Sequence, residues 1–243
     1  MRIIHLEEVD STNSYLEREA DKYSEPLLVT TRTQTSGRGQ RGNRWESQPG
    51  ENLTFSALIR PESFRAADQF AISEATALGV ADFLAIHEIE ARVKWPNDVY
   101  VGERKICGIL IKHSLLGNEI SYSILGVGIN VNQTEFLSDA PNPISMSQAT
   151  GKTYDIESLT PEIANCIERR TQQIYGEAKR LALHEEFMKK LWRGDGSLYP
   201  FADTATGEQF EACIDSVGPY GQLTLRLPNG TRRNYWFKEV SFL

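Results

Sequence analysis

Hydrophobic positions along the chain recur with two periods, and the change of period divides it into strands and helices. Arg2 to Val9 reads as a strand, and Asp10-Ser-Thr-Asn13 then offers capping side chains ahead of a helix through Tyr15 to Ala20. Leu27 to Arg32 is β-branched and apolar, and Asn52 to Ile59 alternates, so both predict strands. In Ala66 to Ile86 the residues Phe70, Ala71, Ala75, Leu78 and Ala81 fall near helical spacing. This predicts a helix against a sheet, with Glu74 and Asp82 on its exposed face. Ala91 to Trp95 is a strand stopped by Pro96, with a turn at Asn97-Asp98 into Val99-Tyr-Val101. Ile106 to Ile111 and Ile120 to Val131 form a hairpin of central strands through Leu116 to Glu119.

Beyond the hairpin, Ile144 to Ala149 reads as a short helix ended by Gly151. Thr160-Pro161 reads as a helix start, with Ile163, Ile167, Ile174 and Tyr175 on one face and a stop at Gly176. A further helix from Leu181 to Trp192 buries Leu183, Phe187 and Leu191. From Gly194 the texture turns to Gly, Asp, Ser, Pro and Thr. After it, Phe210 to Val217, Gln222 to Leu227 and Arg232 to Phe237 read as strands between Gly-Pro and Asn-Gly turns. The pattern predicts an α/β (α+β) unit over 1–195, a mixed sheet with flanking helices, followed by a small all-β unit over 196–243.

Composition narrows the chemistry only modestly. The chain has 243 residues, 40% hydrophobic and 24% charged, which is ordinary globular composition. Its formal net charge of -7 argues against a dedicated nucleic-acid binder, which would carry a basic face. Cys107, Cys166 and Cys213 are odd in number and form no Cys-x-x-Cys pair, so neither a disulfide framework nor a zinc site is indicated. A reducing cytoplasm fits, and no membrane span is expected, because Phe70 to Ile86 is broken by Glu74 and Asp82.

Against that acidic background, Thr35-Ser-Gly-Arg-Gly-Gln-Arg-Gly-Asn-Arg-Trp45 is cationic and contains no aliphatic side chain. It cannot build core. Its glycines let backbone N–H groups turn towards a ligand, and Arg38, Arg41 and Arg44 supply charge against phosphate or carboxylate oxygens. The segment is read as an anion-binding loop that orders around its ligand. Gly37 to Gly42 formally matches Gly-x-Gly-x-x-Gly, yet Asn43 to Gly50 has no helical period and contains Pro49, which argues against a dinucleotide fold. His-Arg-Asp and Asp-Phe-Gly are absent, which argues against a kinase. Gly126-Val-Gly-Ile-Asn130 interrupts a strand with glycines, marking either a bulge or a backbone pressed against a ligand. Lys94-Trp-Pro-Asn-Asp98 and Arg104-Lys-Ile-Cys-Gly108 add lysines and a carboxylate at strand ends.

Together, from Asp10 to Asn130, these segments resemble the biotin protein ligase family, also called biotin–[acetyl-CoA-carboxylase] ligase or holocarboxylase synthetase. The resemblance implies an α/β catalytic domain followed by an SH3-like barrel. It implies ATP and Mg²⁺ as cofactors, biotin as substrate, biotinyl-5′-AMP as intermediate, and transfer to a lysine of a biotin carboxyl carrier protein. A homodimer is compatible with it. Several relatives carry an N-terminal helix-turn-helix; this chain enters its first strand by Ile3, so no DNA binding is expected.

By resemblance, Ser11, Thr12, Asn13 and Gln34 hold the polar ends of biotin. Gly37 and Arg38 close over carboxylate and phosphate, with Gly39, Gln40, Arg41 and Gly42 along the adenylate. Trp45 walls the nucleotide, and Lys105 bridges carboxylate and α-phosphate as the main electrostatic catalyst, with Arg38 beside it. Gly108, Gly126 and Gly128 admit ligand against backbone. Lys94 and Asn97 serve the ATP phosphates, Asp98 the Mg²⁺ and Asn130 the nucleotide. Gln40 and Asn43 stand where many relatives are basic, which implies a looser grip on the adenylate. A lipoate-protein ligase of the same superfamily, whose loop carries Arg-x-x-Gly-Gly-Gly, and a non-catalytic biotin or nucleotide sensor are the competing readings.

Overall fold

The computed structural model describes residues 1–39, 44–137 and 142–243. Seven strands form the larger sheet in the order β1-β2-β3-β7-β6-β5-β4. These are β1 (Arg2–Val9), β2 (Leu27–Gln34), β3 (Asn52–Ile59), β4 (Arg92–Lys94), β5 (Asp98–Val101), β6 (Arg104–Leu116) and β7 (Glu119–Asn130). Only β1 and β2 run parallel, joined by helix α1 (Thr12–Glu19); the other neighbours are antiparallel, so the sheet is mixed.

Strand periodicity splits the sheet into two faces. Leu53, Phe55 and Ala57 of β3 and Leu125, Val127 and Ile129 of β7 point into the main core against α2 (Phe70–Ile86) and α4 (Ile156–Thr171). Leu27, Val29, Leu58 and Ile124 point to the opposite face and pack with Leu16 and Ala20 around α1. That second cluster is small. The rest of its face is left without an apolar cover, and this is where the cleft lies.

Helix α2 is buried nearly all round because α4 and α5 (Glu177–Lys190) cover the side turned away from the sheet. Ala66–Ile86 has the length and hydropathy of a membrane span, but 72% of that window is buried inside the protein. Glu74, read above as exposed, is only 3% exposed. Its Oε1 lies 2.6 Å from His184 Nδ1 on α5. Burial raises the Glu74 pKa, and the facing carboxylate raises that of His184. Periodicity could place Glu74 on a helix face but not reveal that α5 covers it.

Asp82 is likewise not a free surface charge. It accepts hydrogen bonds from Arg170 at 2.7 and 2.9 Å and from Arg169 at 2.9 Å. Burial pushes its pKa up, but the two guanidinium groups outweigh burial and hold it below the usual carboxylate value. A depressed folded-state pKa contributes stability above the unfolded value, and that stability is lost as pH falls through the folded one. Asp82→Asn should therefore cost about 1–3 kcal/mol near neutral pH. The gap from wild type in urea midpoint should close only as pH falls below the usual carboxylate range. A gap independent of pH would assign the loss to packing instead.

Helix α4 starts at Ile156, capped by Asp155 onto the Glu157 N–H, so Pro161 lies inside the helix and does not begin it. The cap at Asp155 overrides the Thr-Pro signal. The short helix α3 (Met146–Thr150) is capped reciprocally by Ser145 and Gln148 and closed by Gly151 at φ 74°.

A second sheet, order β11-β10-β9-β8-β12, comprises β8 (Tyr199–Asp203), β9 (Gln209–Val217), β10 (Leu223–Arg226), β11 (Arg232–Tyr235) and β12 (Val240–Phe242). Strands β8 and β12 escaped the sequence reading because both are short, and β8 lies in a Gly, Pro and Thr-rich stretch. The sheet is fixed to the larger unit by aromatic residues. Trp95 Nε1 donates to the Gly221 carbonyl at 2.9 Å, and its ring meets Phe237 edge-on at 5.4 Å.

Candidate functional site

Pairing register assembles the floor of the cleft from residues far apart in sequence. Gly108 of β6 pairs with Gly128 of β7, Leu110 with Gly126, and Gly126 and Gly128 pair in turn with Ser56 and Thr54 of β3. Strand alternation turns these positions to one face, so Gly108, Gly126 and Gly128 form a patch of bare backbone. The sheet stays in register through Gly126 and Gly128, so close approach, not a bulge, explains these glycines. A Cβ on Gly126 would sit 2.4 Å from the Asn13 amide, and one on Gly128 2.3 Å from the Trp45 indole.

Helix α1 meets this floor with its polar N-terminus. Ser11 holds the N-cap backbone position without a side-chain cap bond, so its hydroxyl is not used as a cap. Gln34 of β2 takes over: its Oε1 accepts the Thr12 N–H at 2.9 Å. Ser56 Oγ lies 2.7 Å from both Thr12 Oγ1 and Asn13 Oδ1, and Asn13 Nδ2 donates to the Leu110 carbonyl at 3.1 Å. Ser11, Thr12, Asn13 and Ser56 are each less than 5% exposed, so this is a buried polar network at one end of the cleft. Thr12, Asn13 and Ser56 satisfy one another and the Leu110 carbonyl, where a buried polar group left unpaired would cost about 1–3 kcal/mol.

The other end carries charge. A register shift between Val99 and Tyr100 lets Lys105 and Gly108, three residues apart on β6, face the same side while Ile106 and Cys107 are both buried. Lys105 Nζ lies 2.7 Å from Asp98 Oδ1, each side chain 23% exposed. Its backbone is held by Asn142 and Ile144 through bonds of 2.8 and 2.9 Å. Asn130 Nδ2 donates to the Ile144 carbonyl at 3.1 Å, and Asn97 Nδ2 to the Ile109 carbonyl at 2.6 Å.

Between the two ends lies the cationic loop. Its neck is closed by the Trp45 N–H on the Gly37 carbonyl at 3.1 Å and by pairing of Arg38 with Arg44. Trp45 lies across Gly108 and Gly128, its ring centroid 5.8 Å from the Lys105 ammonium, and its indole N–H is buried without a partner among the described residues. Glu46 accepts from the Leu137 N–H and the Gln133 amide, tying the loop exit to residues after β7. The cleft measures about 630 Å³ and is lined by both ends, by Arg38, Gly39, Arg44 and Trp45, and by Phe55.

The sequence profile of the biotin/lipoate A/B protein ligase family matches residues 6–130, the stretch that builds this cleft. A biotin–[acetyl-CoA-carboxylase] ligase of Paracoccus denitrificans is 31% identical, over 93% of this chain and 94% of that protein. This chain belongs to the biotin/lipoate A/B protein ligase family. A bifunctional ligase/repressor of Bacillus spizizenii is 31% identical over 69% of this chain, which spans about half (53%) of that longer protein. Among solved structures, the biotin protein ligase of Aquifex aeolicus in complex with biotin and ATP superposes with TM-score 0.80 at 25% identity, covering 100% of this chain and 98% of that one.

In this family member, most of the residues singled out from sequence line one cleft: Ser11, Thr12, Asn13, Gln34, Arg38, Gly39, Trp45, Asn97, Asp98, Lys105, Gly108, Gly126, Gly128 and Asn130. Gly37 sits at the neck, where a Cβ would lie 2.5 Å from the Trp45 carbonyl oxygen. Gln40, Arg41, Gly42 and Asn43 lie outside the described residues. Lys94 does not line the cleft. Its ammonium donates to Tyr100 Oη at 3.0 Å and lies over the rings of Tyr100, Trp192 and Phe242 at 4.5, 4.9 and 5.5 Å. Burial there lowers its pKa, whereas burial pushes that of Tyr100 up to about 12. Of the aromatic residues that enclose Lys94, Trp192 and Phe242 come from the far end of the chain.

Ser56, Tyr100 and Lys238 line the cleft or its network and were not read from sequence. For Ser56 a signal existed, since Thr54 and Ser56 place hydroxyls at alternate positions of an otherwise apolar strand. For Lys238 there was none.

Proposed function

We propose that this protein is an ATP-dependent biotin protein ligase. The observation that carries the reading is Lys105, held by Asp98 above a glycine floor and facing a buried polar network in the same cleft. The names of the relatives support biotin and ATP as substrates. A carboxylate is a poor electrophile, so one of its oxygens attacks the α-phosphorus of ATP. The bond to pyrophosphate breaks and biotinyl-5′-AMP forms. The neutral amine of an acceptor lysine then attacks the acyl carbon, and AMP leaves with the bonding pair.

The polar end at Thr12, Asn13 and Gln34 binds and orients the substrate, and the bare floor admits it against backbone. Lys105 and Arg38 offset the charge that gathers when carboxylate and α-phosphate approach. The indole N–H of Trp45, which has no partner among the described residues, supplies a donor to an oxygen of the adenylate. Asp98 is a single carboxylate at this point, which suits Mg²⁺, an ion bound through one or two carboxylates together with substrate phosphates. Bound there, Mg²⁺ would neutralise phosphate charge. A biotin carboxyl carrier domain is the acceptor this chemistry calls for.

Incubation with biotin, Mg-ATP and a carboxyl carrier domain should add the mass of one biotinyl group to one lysine, read by mass spectrometry. A mass gain with lipoate but not biotin would move the protein to the lipoate side of its family. Tight ligand binding without any transfer would make it a sensor.

A further inference from the structure

One cationic side chain in the cleft comes from the smaller sheet. Lys238 sits in the turn between β11 and β12, where the Glu239 N–H bonds the Trp236 carbonyl at 3.0 Å and the Trp236 N–H bonds Glu239 Oε2 at 2.7 Å. The turn holds Lys238 at φ 69°, in the left-handed region that favours glycine. Strain of this kind persists where the surroundings impose it and gathers at ligand sites. The Lys238 side chain lines the same cleft as Lys105 and Asp98, yet its ammonium forms no hydrogen bond or ion pair with another described residue. Lys105 is paired with Asp98, and Lys94 is enclosed by aromatic rings. Lys238 is thus an uncommitted cation.

Its place relative to Asp98 is fixed by packing. Trp95, three residues before Asp98, carries the ring against Phe237 and the bond to Gly221, and Lys94 bridges Tyr100 of β5 to Phe242 of β12. Both sides of the β4–β5 turn therefore hold the smaller sheet, and they set its Lys238 turn against the cleft. Lys94 acts as a positioning residue in this arrangement.

We infer that Lys238 is a binding residue for the phosphate chain of a nucleoside triphosphate, on the side from which pyrophosphate departs. The inference rests on the ligase reading and extends it. Lys105 and Arg38 already serve the carboxylate and α-phosphate in this reading, so the largest charge left for a further cation is that of the outer phosphates.

Lys238→Gly tests this cleanly, because it removes the cation while relieving the left-handed strain, so the melting temperature should not fall. The KM for ATP should rise roughly tenfold, as for loss of one charge-assisted contact. The KM for biotin should stay within about twofold, and formation of ATP from biotinyl-adenylate and pyrophosphate should weaken in parallel with the ATP effect. Lys238→Arg should restore most of the ATP affinity. An unchanged KM for ATP would overturn the inference. So would a rise in KM for the carrier when biotinyl-adenylate is supplied directly, which would make Lys238 an acceptor contact. The affinity for a non-hydrolysable ATP analogue reads the inference even if the wild-type protein transfers no biotin, so failure of the ligase reading is distinguishable from failure of this one.

Discussion

Replacing Lys105 by Gln should slow biotin-dependent pyrophosphate release by ~10²–10³-fold, or roughly 3–4 kcal/mol, comparable to the loss of one preorganised transition-state donor. The geometry makes the prediction specific. Lys105 is three-quarters shielded from solvent, and its backbone is tied to Asn142 and Ile144, so the ammonium is aimed before substrate arrives. Glutamine is one heavy atom shorter and can still donate a hydrogen bond, but it cannot offset the two anions that meet at the α-phosphate. The loss should therefore fall on kcat for adenylation more than on KM for biotin. Removing Lys105 also leaves Asp98 without its partner, so Asp98→Asn combined with Lys105→Gln separates the two causes. If the double variant regains rate, the single variant was slowed by the uncompensated carboxylate. Pyrophosphate release by Lys105→Gln at the wild-type rate would remove Lys105 from the chemistry.

Gly126→Ala should weaken biotin binding by about 10²-fold, close to 3 kcal/mol at 1.4 kcal/mol per decade. The added methyl would lie 2.4 Å from both amide atoms of Asn13, a separation that real contacts do not reach. Asn13 has nowhere cheap to go, because its Nδ2 is committed to the Leu110 carbonyl and its Oδ1 to Ser56. Overpacking costs about 1–3 kcal/mol, and each buried hydrogen bond that breaks adds about 1 kcal/mol. The displacement should pass to the substrate end of the cleft, whose polar wall is that network. Titration with biotin alone, without ATP, gives the affinity directly. Asn13→Ala in the Gly126→Ala background should relieve the clash but not restore affinity, since the polar contact is then absent. Wild-type affinity in the single variant would mean that the floor is not where biotin lies.

The smaller residue at Gly128 is a different case. There a Cβ meets the Trp45 indole of the loop neck and not the α1 network, so a substitution at Gly128 acts on the loop. The contrast between the two glycines depends on their neighbours and could not be drawn from Gly126-Val-Gly128 as a sequence.

Much of the fold was legible because it follows from local physics. Alternation in β3, the helical spacing of Phe70 to Ala81 and the turn chemistry between β6 and β7 specify their elements whatever surrounds them. The cationic loop was legible for the converse reason: a run of glycine and arginine without aliphatics has no core to join, so it could only be read as a ligand segment. The motif residues around it, from Ser11 to Asn130, could be named in advance for the same stretch that builds the cleft. What they share with one another is spatial, and the sequence alone assigns them no common face.

Tertiary structure decided the rest, because register, cover and docking are non-local. Pairing of β6 with β7 and β7 with β3 turned three scattered glycines into one floor and brought Ser56 beside Asn13. A single-residue slip would have sent them to the core face. Packing of α5 over α2 buried Glu74, which helical spacing alone had left on the surface. Rings from Trp192 and Phe242 enclose Lys94 outside the cleft lining, and the same docking brings Lys238 to it. The sequence by itself determined which residues could bind anions. Only the packing of distant segments decided which of those cations line the cleft, because a lysine's local neighbours set its strand position and not the surface that comes to cover it.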